Sequence, residues 1–404
     1  MSAEATAQKR LITDYGASES NENNAAAIQS AVDACCPGDS VVIPVGTFRT
    51  GSVRLKSDIT LVFEKGAVIL GSEDYHDYCP GKEWDWKSTL FSANNAKNVT
   101  VTGPGILDGL NCFCPLGEEG FRGPHMFLFW ECEDVAFDGF TVQNSANYAL
   151  LFVLCRRVSI KNVEMIAGHD GIHTQRCTDF TIDGCVFRTG DDAIAGSDNK
   201  NFRITNCRIN TACNGLRFGC FGMEMSDCVF QGPGEFKHRL EGRLASLYAF
   251  VHFSPSDRKS YIPTDNWVIR RVKADHMLSL YSMDRGEIWQ DAQPAKKILF
   301  EDVTATNMQE PIRVIGKGSR DTSLTFRRCR LELDPALSHQ PVFEMEDFDS
   351  LTLEDVALKN DDRIPLLELK NGRLHTVNSA NITLQAENVD FANENAVLSE
   401  NEIF

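Results

Sequence analysis

The chain has no run of eighteen apolar residues, so no segment reads as a membrane-spanning helix. It is also short of positive charge. Forty Lys and Arg stand against 57 Asp and Glu, a formal net charge of −17. That excess argues against nucleic acid or an anionic membrane as a partner. It weighs mildly against a long polyanionic substrate, although a local basic pocket could overcome it. The start, "MSAEATAQKRLITDYGA", lacks the apolar centre of a secretory signal peptide, which points to a cytoplasmic protein unless a leader has been trimmed away. No linker composition divides the 404 residues, so a single domain over 1–404 is expected.

What the chain does have is an ordinary globular composition, 42% hydrophobic and 24% charged, enough to bury a large core. It also has a repeat. "VAFDGFTV" (135), "VSIKNVEM" (158), "FTIDGCVF" (180), "FRITNCRI" (202) and "MEMSDCVF" (223) share one frame, at intervals of 23, 22, 22 and 21 residues. Each reads apolar-polar-apolar, then two polar or small residues, then a second alternating piece. The frame appears earlier at "VTVTGPGIL" (99) and returns at "WVIRRVKA" (267), "ILFEDVTA" (298), "LTFRRCRL" (324) and "LTLEDVAL" (351). Period-two alternation marks short strands with one buried face. A lap of about 22 residues without a helix marks a β-solenoid. Leucine-rich repeats share the period, but their Leu frame and Asn ladder are missing. The chain is therefore expected to be all-β, a single-stranded right-handed parallel β-helix.

Cys185, Cys207, Cys228 and Cys329 occupy one position of the frame, and Cys132, Cys155 and Cys177 another. Stacked laps would make these internal ladders of reduced thiols, packed as small hydrophobes, rather than disulfides. Helical spacing occurs at 24–36, "NAAAIQSAVDACC", where Ala27, Ile28, Ala31, Val32 and Cys35 share a face. A helix there would cap the open end of the solenoid. The more polar stretch 232–262 reads as a long loop insertion, making the 44-residue interval to the next frame two laps.

The repeat organises the carboxylates. Asp170 plus 22 is Asp192, plus 22 again is Asn214, and minus 23 is Asn147. Residues one lap apart stack about 4.8 Å from one another. Asp191 sits one residue before the same line, so three acids are expected in one patch. Such a patch is self-repelling and titrates as a coupled unit. Glycosidic hydrolysis uses that arrangement, needing one protonated and one ionised carboxyl group. Two bland readings stay open at this point: Asp and Asn that satisfy backbone donors at strand starts, and a Ca²⁺ site.

From "ITDYGA" and "AAAIQSAVDAC" through "GPGILDG" and "FTVQNSANYALLFVLCRRVSIKNV" to "NGLRFG", the chain resembles the polygalacturonase family, glycoside hydrolase family 28. The members are right-handed parallel β-helices. The family's Asn-Thr-Asp-Gly element corresponds to Gly168-His169-Asp170-Gly171, and its Asp-Asp element to Asp191-Asp192. The resemblance implies inverting hydrolysis of a pectin-type or related oligosaccharide. Asp191 would be the general acid, with Asp170 and Asp192 activating water. Neither a metal nor another cofactor is expected. Two departures matter. Asn214, in Cys213-Asn214-Gly215, replaces the family's histidine. The strand expected to hold an Arg-Ile-Lys substrate clamp reads "ASLYAFVHF", with Tyr248 and His252 instead. Plain polygalacturonate is thereby disfavoured as substrate.

Further substrate-binding candidates are Asn214, Arg217, His169, His173, Lys237 and His238. Lys237 and His238 lie in a basic run with Arg239 that reads equally as a solvated loop. Arg217 is alternatively a partner of Asp192, and the two histidines alternatively make structural hydrogen bonds. Trp84 and Trp86 are candidates for sugar stacking, whereas Trp130, after "MFLF", reads as core. A polysaccharide lyase and a non-catalytic carbohydrate-binding solenoid are the competing functions. Loops 73–90, 110–124 and 232–262 would favour exo-action if they close one end of a groove. Oligomeric state is not legible.

Overall fold

The alternating residues of each frame point alternately inward and outward, and the two polar or small residues between the strands turn the corner. In each of the first five frames the second residue of that pair has a left-handed backbone: Gly139 at φ 79°, Asn162 at 52°, Gly184 at 65°, Asn206 at 56° and Asp227 at 58°. Gly, Asn and Asp tolerate this conformation best. The side chain is constrained too, since a Cβ on Gly184 would lie 2.8 Å from Asn162 Oδ1. The apparent spacer of the repeat is thus its corner.

The computed structural model describes residues 7–379, 382–394 and 398–400. The fold is a right-handed parallel β-helix with an N-terminal capping helix, and by chain contacts it divides into two compact units. One comprises Met1–Asp191 with Arg239–Glu241, the other Asp192–His238 with Gly242–Phe404.

In the first unit, each lap contributes three short strands to three parallel rows. One row stacks Thr89–Asn94, His125–Trp130, Leu150–Val153 and Ile172–Gln175. The second stacks Lys97–Thr102, Glu133–Asp138, Arg156–Lys161 and Thr178–Asp183. The third stacks Ile106–Asp108, Thr141–Gln143, Glu164–Ile166 and Val186–Thr189. In-register neighbours build the core: Val135, Val158 and Phe180 align, as do Phe137, Ile160 and Ile182, all buried. Phe91 stacks on Phe127 at 5.3 Å, and Phe152 meets Phe180 edge-on at 5.2 Å. The expected helix is Ala25–Ala34, burying Ile28, Ala31 and Val32. It packs on the opening strands of the unit.

The cysteines form ladders without disulfides. At one corner the thiols of Cys132, Cys155 and Cys177 each donate to a carbonyl of the lap before, those of Ala93, Phe129 and Phe152, at 3.3–3.5 Å. Burial pushes the thiol of Cys112 up to about 12 and that of Cys329 to about 11, far from nucleophilic at neutral pH.

The second unit continues the pattern, with Trp267, Ile298, Leu324 and Leu351 in one inward file. It corrects the reading of the 44-residue interval. Met223 pairs directly with Trp267, so the interval is one enlarged lap rather than two. Nor is 232–262 wholly loop. It contains the strand Tyr248–His252, which pairs with Leu216–Phe218 on one side and with Ser279–Ser282 on the other.

Candidate active site

In the first unit, Ala167 and Gly168 end a strand row with two left-handed residues, φ 57° and 76°. A Cβ on Gly168 would fall 2.5 Å from Ser145 Oγ and 2.7 Å from Ser145 O, so only glycine lets the chain pass. The turn delivers His169 and Asp170, 1% and 2% exposed. The carbonyls of Asp170 and Gly171 accept from Ala149 and Leu150 of the previous lap, both at 2.9 Å. Leu150 pairs with Ile172, a spacing of 22 rather than 23. Asp170 therefore falls opposite Tyr148, not Asn147. The sequence count misses the extra residue of the earlier lap, which takes seven positions from Gln143 to Leu150 where the next takes six from Ile166 to Ile172.

Asp170 Oδ2 lies 3.1 Å from His173 Nδ1. His173 stacks on Tyr148 at 4.3 Å, and Tyr148 on His125 at 5.0 Å. His125 Nδ1 accepts from the Tyr148 amide, and its Nε2 lies 2.8 Å from the Trp86 carbonyl. That pattern fixes a neutral imidazole with the proton on Nε2. Burial agrees, lowering its pKa to about 4. His173 thus supports Asp170 from the side.

Asp191 pairs with Arg122 at 3.1 Å. Arg122 also makes a forked pair with Glu119, at 2.9 and 3.1 Å. Burial opposes the guanidinium's charge, but Glu119, Asp170 and Asp191 outweigh it and raise its pKa. The loop can hold Arg122 only because residue 117 is glycine, where a Cβ would lie 1.7 Å from the Arg122 carbonyl. His169 Nδ1 stands 3.9 Å from Asp191, beyond hydrogen-bond reach, and neither ring nitrogen has a hydrogen-bond partner among the described residues. Burial lowers its pKa to about 4, with Arg122 and Arg239 adding to the effect against Asp191. Arg239 lies over the Phe121 ring at 5.3 Å.

In the second unit, Asp192 is 1% exposed. Arg217 Nε donates to its Oδ2. The Asn214 side chain and backbone amide donate to its Oδ1, at 2.7 and 3.2 Å. Asp192 and Asn214 lie one 22-residue lap apart, as the spacing predicts. Arg217 is backed by Phe253 at 4.3 Å and by Trp289 at 6.0 Å. On the strand Tyr248–His252, His252 is buried and bonded to Thr264 and the Gln293 carbonyl. Tyr248 reaches Glu310 at 3.5 Å. Lys237 is exposed and His238 buried, inside a turn closed by backbone bonds between His238 and both Gly242 and Arg243.

Trp130 is not core. It is partly exposed, 6.2 Å from Trp86, with Lys87 Nζ 4.5 Å above its ring. It lines a cleft of about 750 Å³ with Arg54, Lys82, Lys87 and Leu128. None of Asp170, Asp191 and Asp192 lines that cleft.

The most consequential residues that sequence reasoning missed are Arg122 and Glu119. They lie in a loop without repeat frame, so no periodicity marks them. Asp191 and Asp192 are successive residues, and the chain passes from one compact unit to the other at that peptide bond.

Coils of this kind, carrying buried aspartates at turn and strand edges, are those of a right-handed parallel β-helix. The comparisons are specific. Residues 37–231 match the model of Glycosyl hydrolases family 28. An exo-poly-alpha-D-galacturonosidase of Dickeya chrysanthemi is 39% identical over 24% of this chain and 19% of its own length. Polygalacturonase QRT2 of Arabidopsis thaliana is 23% identical over 74% of this chain and 63% of its own. The chain spans less than two thirds of the length of these curated relatives. A hyperthermoactive exopolygalacturonase from Thermotoga maritima has the same fold, with TM-score 0.63 and 17% identity over 96% of this chain and 91% of that one. Over residues 37–231 the chain is similar to Glycosyl hydrolases family 28, on a parallel β-helix fold.

Proposed function

We propose that the chain is an inverting glycoside hydrolase acting on a pectin-type or related oligosaccharide other than plain polygalacturonate. The observation that carries this reading is the burial of Asp170, Asp191 and Asp192, at 2%, 8% and 1% exposure. Each is oriented by a different partner, respectively His173, Arg122, and Arg217 with Asn214. Burying carboxylates is costly, and each of these three is held by a hydrogen-bonding or charged partner. Inverting hydrolysis needs one carboxyl to protonate the leaving oxygen and another to draw a proton from water on the opposite face. Asp191 takes the first role, Asp170 and Asp192 the second. Protonating Asp191 means loosening its pair with Arg122, so the arginine governs when the acid is armed.

The pectic class is supported by the galacturonan-cleaving activities named for the relatives. The departure from plain polygalacturonate is supported by the strand Tyr248–His252. It has no Arg or Lys, and its histidine is committed to Thr264 and Gln293.

The test is reducing-sugar release over a panel of pectic and neutral oligosaccharides, with Asp191→Asn as the blank. The expected loss is about 10²–10⁴-fold, and the released sugar should show inverted anomeric configuration by NMR. An unsaturated product absorbing in the ultraviolet would identify a lyase and overturn the reading.

A further inference from the structure

Within the first unit, two groups near Arg122 and Asp191 carry more hydrogen-bonding capacity than the described residues use. His169 is 1% exposed, and neither of its ring nitrogens has a hydrogen-bond partner among the described residues. Arg239 buries Nη1 without a partner, and no carboxylate pairs with it among the described residues. Its guanidinium lies over the Phe121 ring at 5.3 Å, and Phe121 in turn lies 5.6 Å from the His169 ring. Arg122 beside them is already shared between Glu119 and Asp191.

Leaving a buried donor unmade costs about 1–3 kcal/mol, more when it is charged, and native proteins keep few such groups without a reason. The two guanidiniums also repel. Burial and the Arg122 charge both lower the pKa of Arg239. Water would satisfy the donors but leave the repulsion. An anionic acceptor removes both costs, and a planar carboxylate matches a guanidinium fork. The Phe121 ring, 5.3 Å from the guanidinium carbon, backs that fork with an apolar surface.

We propose that Arg239, flanked by Arg122 and His169, is the anchor for one carboxylate of an acidic sugar beside Asp191. The proposal deepens the glycosidase reading and rests on it for the identity of the ligand as a sugar. It explains how the chain can take an acidic pectic residue although the strand Tyr248–His252 has no cation. The acid is read from the loop at 239 and the loop at 122 instead. An arriving carboxylate also competes with Asp191 for Arg122, so the acidic substrate itself helps to arm the proton donor.

The probes are D-galacturonate and D-galactose, which differ in ring substituents only by the acid at C6. Binding to the whole protein is measured by isothermal titration for the wild type, Arg239→Gln and Arg239→Lys. Galacturonate should bind, and Arg239→Gln should weaken it roughly 10- to 100-fold. Arg239→Lys should recover part of the loss, and galactose affinity should be the same in all three. Thermal melting accompanies each variant. Arg239→Gln removes a partly buried charge without an ion pair among the described residues and should melt no lower than wild type; if it does not fold, Arg239→Lys carries the test, with a loss of at least several-fold expected at a fork site. Galacturonate binding that ignores Arg239 overturns the proposal. So does a wild type that cleaves neutral oligosaccharides and does not bind galacturonate, an outcome that leaves the glycosidase reading standing. Conversely, Arg239-dependent binding without any hydrolysis upholds the anchor and sinks the hydrolase.

Discussion

His173 holds Asp170 through one nitrogen while its ring face is held by Tyr148. Removing the ring should leave Asp170 in place on its backbone bonds but free its carboxyl group to rotate. His173→Ala is therefore expected to lower kcat about 10- to 100-fold with KM little changed, since positioning acts on the reacting step. Steady-state kinetics on the best oligosaccharide of the panel checks it. Arg122 makes the opposite prediction. Arg122→Gln removes the positive charge that competes for Asp191, so a proton stays on that acid to higher pH. The alkaline limb of the pH–rate profile should move upward, even if peak activity falls. A profile with an unmoved alkaline limb would separate Arg122 from the proton donor. At this scale the sequence was uneven. Asp170, Asp191 and Asp192 stand out as candidates by motif and lap spacing, and pairing with Asp192 is one of two readings open for Arg217. Arg122 does not stand out, because nothing in "CPLGEEGFRG" says which lap the loop folds back on.

Strands and corners were the legible part of the fold. Inward alternation names the core residues directly, and the polar pair between strands marks the corner. The errors came where a lap departs from its period. One extra residue sits between Gln143 and Leu150, and 44 residues make a single lap between Met223 and Trp267. Counting cannot distinguish an enlarged lap from two ordinary ones, because both restore the frame. Trp130 was misread for a related reason. Its neighbours Phe127 and Phe129 point inward, and parity puts residue 130 outside. The tight corner at residue 168 gives a test at this scale. Gly168→Ala adds a Cβ that meets Ser145 and strains a left-handed backbone. It should destabilise by about 1–3 kcal/mol, read from urea midpoints. Activity should fall further than stability explains, because Asp170 is two residues away.

Taken whole, the protein buries three histidines whose pKa values lie at about 4: His125, His169 and His252. Burial is the largest cause in each. Unfolding returns them to about 6.5. The unfolded chain therefore binds more protons between those values, and stability falls as pH drops through that window, with no further loss from these groups below about 4. Each contributes a loss on the order of 2 kcal/mol by about pH 5. Urea unfolding at neutral and mildly acid pH should show it, and His252→Gln should flatten the slope if it folds. A slope that does not change would mean these rings stay hydrated.

The thiol ladders have a practical consequence. Thirteen of the 14 cysteines are buried and only Cys36 is exposed, with no bond between any of them. In native buffer a thiol-specific dye should label one site. Each coil that opens then adds its own count, and mass spectrometry of the labelled peptides would report where along the chain the solenoid frays first.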